Sequence, residues 1–366
     1  ALSDNKQTTP LPRYLIMRAA GVLTAFRNKR PLLVFILSRI ASMITILFIL
    51  GFAVFGLMQL APGDIVDNYV RSQIMMQNEF RQRDNIFTDE AIEEAKRRLG
   101  LDQPFYRQYF RWLNQVFIQR DLGRTLVTRA PILFLIRNRM INSLILNLIS
   151  LFFLTIISFA LGIYFSSKVG TKADFWATLL ALFLHAFPGI LLLILLQLFA
   201  SVSGLFPVTA YPDFPASEAP LRFGFSYLYH IFVPLLGAFL SGIGGTMRLI
   251  RATMLDQLGQ PYITSIRSRG IRERRIYLHH AFRNTLNPYI TSSADLFASL
   301  FSGSLILEII FSYPGIGRLM YEAVRQEDTN LVLANIMFIS FLVLSGMIIA
   351  DVLLALVDPR IRYSKT

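Results

Sequence analysis

Hydrophobic residues in this chain come in long blocks rather than short alternating runs, and the blocks are nearly free of charge. Stretches without Asp, Glu, Lys or Arg cover 40–63, 140–167, 175–212, 223–247 and 329–350. Each exceeds the roughly 20 apolar residues that a helix needs to cross the hydrocarbon core of a bilayer. A sixth block, 288–311, is interrupted only by Asp295 and Glu308. No water reaches backbone N–H and C=O groups inside a bilayer, so such blocks must be helical. The pattern predicts an all-α integral membrane protein, one helical bundle of six spans: 33–60, 141–165, 176–202, 225–249, 288–311 and 331–357. Pro188, in the middle of the third span, is expected to kink it or to free one carbonyl there.

The polar segments between the blocks have structure of their own. In the loop 61–140, Thr88 can cap a helix with Asp89 and Glu90 in its first turn and Lys96, Arg97 and Arg98 in its last. That charge order suits the helix dipole, and Gly100 ends the run. A second helix is expected from Pro104, with Phe105, Tyr109, Trp112 and Val116 or Phe117 on one face, which reads as packing on the span ends or lying among headgroups. Segment 203–226, with four prolines, reads as irregular, and a helix of about ten residues is expected after Pro314-Gly315.

The segment 249–288 is a forty-residue polar block between two apolar runs. Pro261 suits a first helical position, where a missing N–H costs nothing, and Gly270 suits the left-handed residue beyond a helix end. Between them Tyr262, Ile263 and Ile266 fall on one face of a helix about 13 Å long. Thr264, Ser265, Arg267, Ser268 and Arg269 make up its polar remainder. A short helix of this kind beside a membrane either docks on a partner in the water or is simply a positive loop.

Charge gives an orientation. The segments 1–39, 166–175, 248–288 and 356–366 hold 20 of the 36 Lys and Arg residues, and the short loops 203–226 and 311–331 hold 3. By the positive-inside rule both termini and the 249–288 loop lie in the cytoplasm. The net charge of +13 follows from this asymmetry, and no basic–aromatic surface accompanies it, so nucleic acid is not an expected partner. Residues 1–31 read as a basic cytoplasmic extension, an interfacial helix on that face, and a cleavable signal is not expected. In the fifth span Ser292, Asp295, Ser299 and Ser302 recur at helical spacing on one face. A carboxylate there is costly in lipid, so the stripe reads as lining a translocation path or a partner interface. Glu308, roughly 140° around the axis from Asp295 at 3.6 residues per turn, is expected to anchor the far end of that helix. Asp351 is expected to snorkel or to pair with an arginine.

Five separated blocks, covering about residues 33–362, resemble one family. SRGIRERRIYLHHAFRNTLNP, with Gly270, His280, Ala281, Arg283, Asn284 and Pro288, resembles the cytoplasmic loop of bacterial ABC-importer permeases of the dipeptide/oligopeptide/nickel branch. APGD at 61–64, LGLDQPFYRQYFRWL with the following DLG and Ala130-Pro131-Ile132, GSLILEIIFSYPGIGRLMYEAV at 303–324 and DPRIR at 358–362 are similar to other parts of the same permeases. His230 and Pro234 also fit. The resemblance implies a six-helix permease bundle with a large helical extracytoplasmic loop. It implies that Pro261, Tyr262, Ile263, Thr264, Ser265, Ile266, Arg267, Arg269 and Gly270 form the coupling helix, seated on a separate ATPase subunit. Thr264, Ser265 and Ile266 stand where many importers have Glu-Ala-Ala. A second homologous permease subunit, one or two ATPase subunits carrying ATP and Mg²⁺, and an external solute-binding protein landing on the 61–140 loop are the implied partners, alongside membrane lipids. The location implied is the bacterial inner membrane.

The chain has no cofactor site of its own by motif: no G-x-x-x-x-G-K-[ST] loop, no H-E-x-x-H and no G-x-S-x-G. With no cysteine it has neither disulfides nor thiolate metal sites. Adjacent His279 and His280 would point to different faces of a helix. An enzyme is therefore poorly supported. A stand-alone secondary transporter, the main alternative, would predict internal repeats with paired broken spans, and a channel would predict a filter or a charged ring; neither is visible.

Overall fold

The computed structural model describes residues 31–60, 103–125, 128–286, 289, 299–301, 304–326 and 328–357. These form α1 (Pro31–Leu60), α2 (Phe105–Phe117), α3 (Ile132–Ser166), α4 (Lys172–Ala186), α5 (Gly189–Ser203), α6 (Pro220–Leu258) and α7 (Pro261–Ser268). They continue as α8 (Glu273–Thr285, with a π-helical turn Ile276–Ala281), α9 (Leu305–Ile310), α10 (Ile316–Arg325) and α11 (Thr329–Val357). Among the described residues α1, α3, α6 and α11 are each long and apolar enough to cross a membrane. The expected fifth span lies largely outside the described residues, which include only Tyr289, 299–301 and its last turns in α9.

The third span differs from expectation. Pro188 does not kink one helix; α4 and α5 are separate helices bent by 96° at the break. The cause is local. Proline disfavours helical backbone in the residue before it, and Phe187 is extended (φ −72°, ψ 132°). Pro188 itself is extended too (φ −60°, ψ 116°) and opens α5 as its N-cap residue. A second correction concerns 203–226. Pro220 occupies the first turn of α6, so the last seven residues of that segment are helical.

α6 is the central helix. In lipid there is no hydrophobic drive between helices, so close association depends on small residues that let backbones approach. Gly237, Gly242 and Gly244 of α6 each admit a different neighbour. A Cβ on Gly237 would lie 2.5 Å from Leu193 of α5, one on Gly242 would lie 2.8 Å from Leu154 of α3, and one on Gly244 would lie 2.4 Å from the Ala181 carbonyl of α4. α1 and α11 form a second pair, tied by a 3.0 Å ion pair between Arg39 and Asp351, as expected for Asp351. The aromatic face of α2 packs on α1. Tyr109 is fully buried, stacks edge-on to Phe48 and Phe52, and donates its hydroxyl to the Phe48 carbonyl at 2.9 Å. The helix expected from Thr88 lies outside the described residues.

Gly244→Val should therefore force α4 off α6 and lower the melting temperature of the purified protein, as overpacking costs about 1–3 kcal/mol. Gly189→Ala, whose added Cβ meets Ser241 at an ordinary 3.6 Å, should leave it unchanged. Equal melting temperatures for the two variants would contradict this account of the packing.

Candidate functional site

Two clusters at opposite ends of α6 hold the features singled out in the sequence. At its C-terminal end the chain turns at Gly259 and Gln260 into α7. Pro261 is the first helical residue and the Ile263 N–H is taken by the Gln260 carbonyl at 3.0 Å. Gly270 sits just beyond the helix with φ +73°, and its N–H is held by the Arg267 carbonyl at 2.9 Å. Start and stop are both where the sequence put them.

The apolar face of α7 is turned inward, onto the chain itself. Ile263 is completely buried among Ile250 and Met254 of α6 and Ile276 and Ala281 of α8, with Tyr262 and Ile266 half-buried at the margin. The Tyr262 hydroxyl donates to Gln257 Oε1 at 3.1 Å and accepts from Asn284 Nδ2 at 3.0 Å. It thereby joins α6, α7 and α8. Thr285 adds a bond to the Ala281 carbonyl at 3.0 Å and lies 3.2 Å from Met254 Sδ. The exposed surface is what remains: Pro261, Thr264, Ser265, Arg267, Ser268, Arg269 and Gly270, continued by Arg272, Arg274 and Arg275. Arg267 is clamped by Glu273, Nε and Nη2 donating to its two carboxylate oxygens at 2.8 and 3.2 Å. Glu273's hydrogen bonds raise the pKa of the guanidinium, so it is charged at any working pH. The π turn in α8 carries His279 and His280, whose rings meet edge to face at 5.4 Å. Such turns are rare and frequently functional.

The second cluster gathers around Glu308 of α9, which is fully buried. Its Oε1 accepts from Ser143 Oγ at 2.7 Å and from the Ser304 N–H at 3.4 Å, and its Oε2 accepts from the Arg318 N–H at 2.8 Å. Ser143 in turn accepts from the Ile316 N–H at 2.8 Å. The carboxylate thus takes the Arg318 amide and Ser143 the Ile316 amide in the first turn of α10, where a negative charge suits the dipole. The close seat requires glycine: a Cβ on Gly315 would fall 2.2 Å from the Glu308 carboxyl carbon. Tyr313 donates to the Asn142 carbonyl at 2.7 Å, Asn142 donates to the Pro314 carbonyl at 3.0 Å, and the Tyr313 and Tyr227 hydroxyls bond at 2.9 Å. Glu308 is the anchor that its position suggested. Its partner Ser143 stands 165 residues away, and neither it nor Asn142, which holds the following turn, carries a signal in the sequence.

Of the Ser/Asp stripe, Ser292, Asp295 and Ser302 lie outside the described residues. Ser299 is exposed, and its carbonyl and that of Leu300 are within 3.4 and 3.0 Å of the Asn147 amide of α3. Among the described residues no group of His, Asp and Glu is placed to hold a metal ion.

Tyr262→Phe removes two hydrogen bonds at about 1 kcal/mol each and should speed amide hydrogen exchange in α7 about tenfold or more without altering membrane insertion. Unchanged exchange there would show that the hydroxyl does not seat the helix. Glu308→Ala strands three donors, at about 1.5–3 kcal/mol for each well-formed bond to a charged group. It should lower the melting temperature more than Glu308→Gln, which keeps one oxygen acceptor; the reverse order would refute the anchor.

Comparison with known proteins identifies the family. A family profile described as binding-protein-dependent transport system inner membrane component matches residues 158–363. A second, for the N-terminal part of such membrane components, matches 32–147. The oligopeptide transport system permease protein AppB of Bacillus subtilis is 31% identical over 90% of this chain and 99% of its own length. A putative peptide transport system permease protein of Brucella abortus is 31% identical over 90% and 98%. The glutathione transport system permease protein GsiC of Escherichia coli is 28% identical over 90% and 99%. With both profiles matched and relatives aligned along nearly their full length, this all-α, multi-pass inner-membrane chain belongs to the binding-protein-dependent transport family. It is a permease subunit of an ABC importer, working with ATPase and binding-protein components and not itself an enzyme.

Proposed function

We propose that the importer carries peptides and that α7 is its coupling helix, docking by its polar face on an ATPase subunit that holds ATP and Mg²⁺. One observation carries the docking role. All the large apolar side chains of α7 are used against α6 and α8, so the helix is fixed to its own chain while Thr264, Ser265, Arg267 and Arg269 stay exposed. A loop that docked on nothing would not need to be held so firmly. The peptide reading is supported by relatives whose names specify oligopeptide or peptide transport, while one names glutathione, itself a small peptide.

In this reading the excess of Lys and Arg puts both termini and α7 in the cytoplasm, and α10 with the Glu308 cluster on the other side. An external binding protein delivers its ligand there, to a cavity shared with a second, homologous permease subunit. The stripe Ser292, Asp295, Ser299 and Ser302 faces that cavity or the partner. Nucleotide binding and hydrolysis displace α7, and the bundle exposes the cavity to one side and then the other. The ATPase states must differ in affinity for α7, or nothing drives the switch.

Ser265 is the sharper probe of docking than Ile266, because Ile266 contributes to the loop's own core and an aspartate there would damage both. Ser265→Trp should leave insertion and hydrogen exchange of α7 unchanged but abolish uptake in reconstituted vesicles and release the ATPase subunits during purification. Full uptake by this variant would refute docking through the exposed face.

A further inference from the structure

α6 carries two arginines about one turn apart near the end that leads to α7, and they have different fates. Arg251 is fully committed: its Nε and Nη2 donate to the two carboxylate oxygens of Asp174, each at 2.8 Å. Asp174, buried in the first turn of α4, also accepts from the Gly170 N–H at 3.2 Å. Arg248 makes no ion pair or hydrogen bond among the described residues. It lines a cavity of about 560 Å³ between α4 and α6, with Thr178, Leu182, His185, Leu249 and Arg251. The cavity therefore keeps one uncompensated positive charge.

Arg248 is half-buried, and an unpaired guanidinium held at the end of spanning helices favours an anionic partner. The surroundings specify the partner. Phe175 and Trp176, in the first turn of α4, are 63% and 65% exposed, and exposed aromatics of this kind mark the level of lipid headgroups. Beyond them the exposed large apolar side chains of α4 are Leu179, Leu180, Leu182 and Phe183, which suit acyl chains, while His185 is exposed at the cavity itself. A cationic, hydroxyl-bearing pocket flanked by apolar surface at headgroup depth fits a phosphate with a hydrocarbon tail. Basic pockets between spanning helices on the cytoplasmic side take such headgroups.

We propose that this cavity binds the phosphate of an anionic phospholipid, with Arg248 supplying the charge and Thr178 and His185 further donors. Assigning it to the cytoplasmic leaflet rests on the orientation proposed above; the binding itself does not.

Native mass spectrometry of the whole transporter, purified in mild detergent, tests this. Phosphatidylglycerol, phosphatidylcholine or inorganic phosphate is added at equal concentration. Wild type should retain phosphatidylglycerol in preference to phosphatidylcholine. Arg248→Leu should cut that retention about fivefold, and Arg248→Lys should keep most of it. The intact mass of the complex confirms that each variant assembles. Unchanged retention in Arg248→Leu would overturn the proposal, as would equal retention of both lipids. So would phosphate adducts on wild type that vanish in Arg248→Leu, which would mark a site for a free anion. Arg248→Leu that retained lipid but raised the KM of uptake would overturn it in favour of a substrate contact. Lipid retention is read without transport, so a failure of the coupling or orientation reading leaves this test intact.

Discussion

The burial of Ile263 is the contact on which the rest depends. A helix of eight residues has no stability of its own in water, because nucleation is costly and few bonds follow it. α7 exists as a helix because Pro261 and Gly270 fix its ends and because Ile263 fills a core made by α6 and α8. The same core makes the helix mechanically one piece with α6. Fully burying an isoleucine side chain contributes about 1.5–3 kcal/mol, and the Tyr262 bonds to Gln257 and Asn284 add to it. A force on the exposed face of α7 is therefore transmitted to α6 before it can deform the loop.

Where α6 leads explains why that matters. Its 39 residues extend to nearly 60 Å at about 1.5 Å per residue, more than a bilayer's thickness. Glycines on its sides receive α3, α4 and α5. Near its other end Tyr227 bonds Tyr313, in the turn that Glu308 holds against α3 and α10. One helix thus touches both clusters and three of its neighbours. On the proposed reading, this continuity lets an event at α7 reach the far side of the bundle. Packed interiors repack between discrete arrangements and do not bend smoothly, so the expected response is a switch between states.

How much of this the sequence revealed depends on the range of the forces involved. The spanning helices α1, α3, α6 and α11, the α7 boundaries and the α10 helix were legible because they follow from hydropathy and from Pro and Gly punctuation, which act over a few residues. The break between α4 and α5 was half legible. Pro188 announced a disturbance, but whether a proline kinks a helix or ends it depends on whether the preceding residue is driven into extended backbone, as Phe187 is. The inward turn of the Tyr262–Ile263–Ile266 face was legible only as an apolar face, because what covers it comes from residues 250–254 and 276–281. Partners such as Ser143 for Glu308 or Asp174 for Arg251 are set by tertiary packing, and no local pattern marks them.

If α7 docks as proposed, its size also bounds how it can work. Moving a two-state bundle from 1:99 to 99:1 needs a difference of about 5.5 kcal/mol in binding to the two states. The exposed part of α7 is one face of two helical turns, and a strong interface residue supplies about 2–4 kcal/mol. Two or three such contacts, formed in one ATPase state and lost in another, would be enough. A full switch therefore needs nearly every good contact this face can offer. The arginines of α8 that extend the face, Arg272, Arg274 and Arg275, are exposed beside it and enlarge what an acidic groove could hold. Weak discrimination by the ATPase would leave the bundle populated in both states, so the rigidity of the Ile263 core is useful only together with a partner that grips selectively.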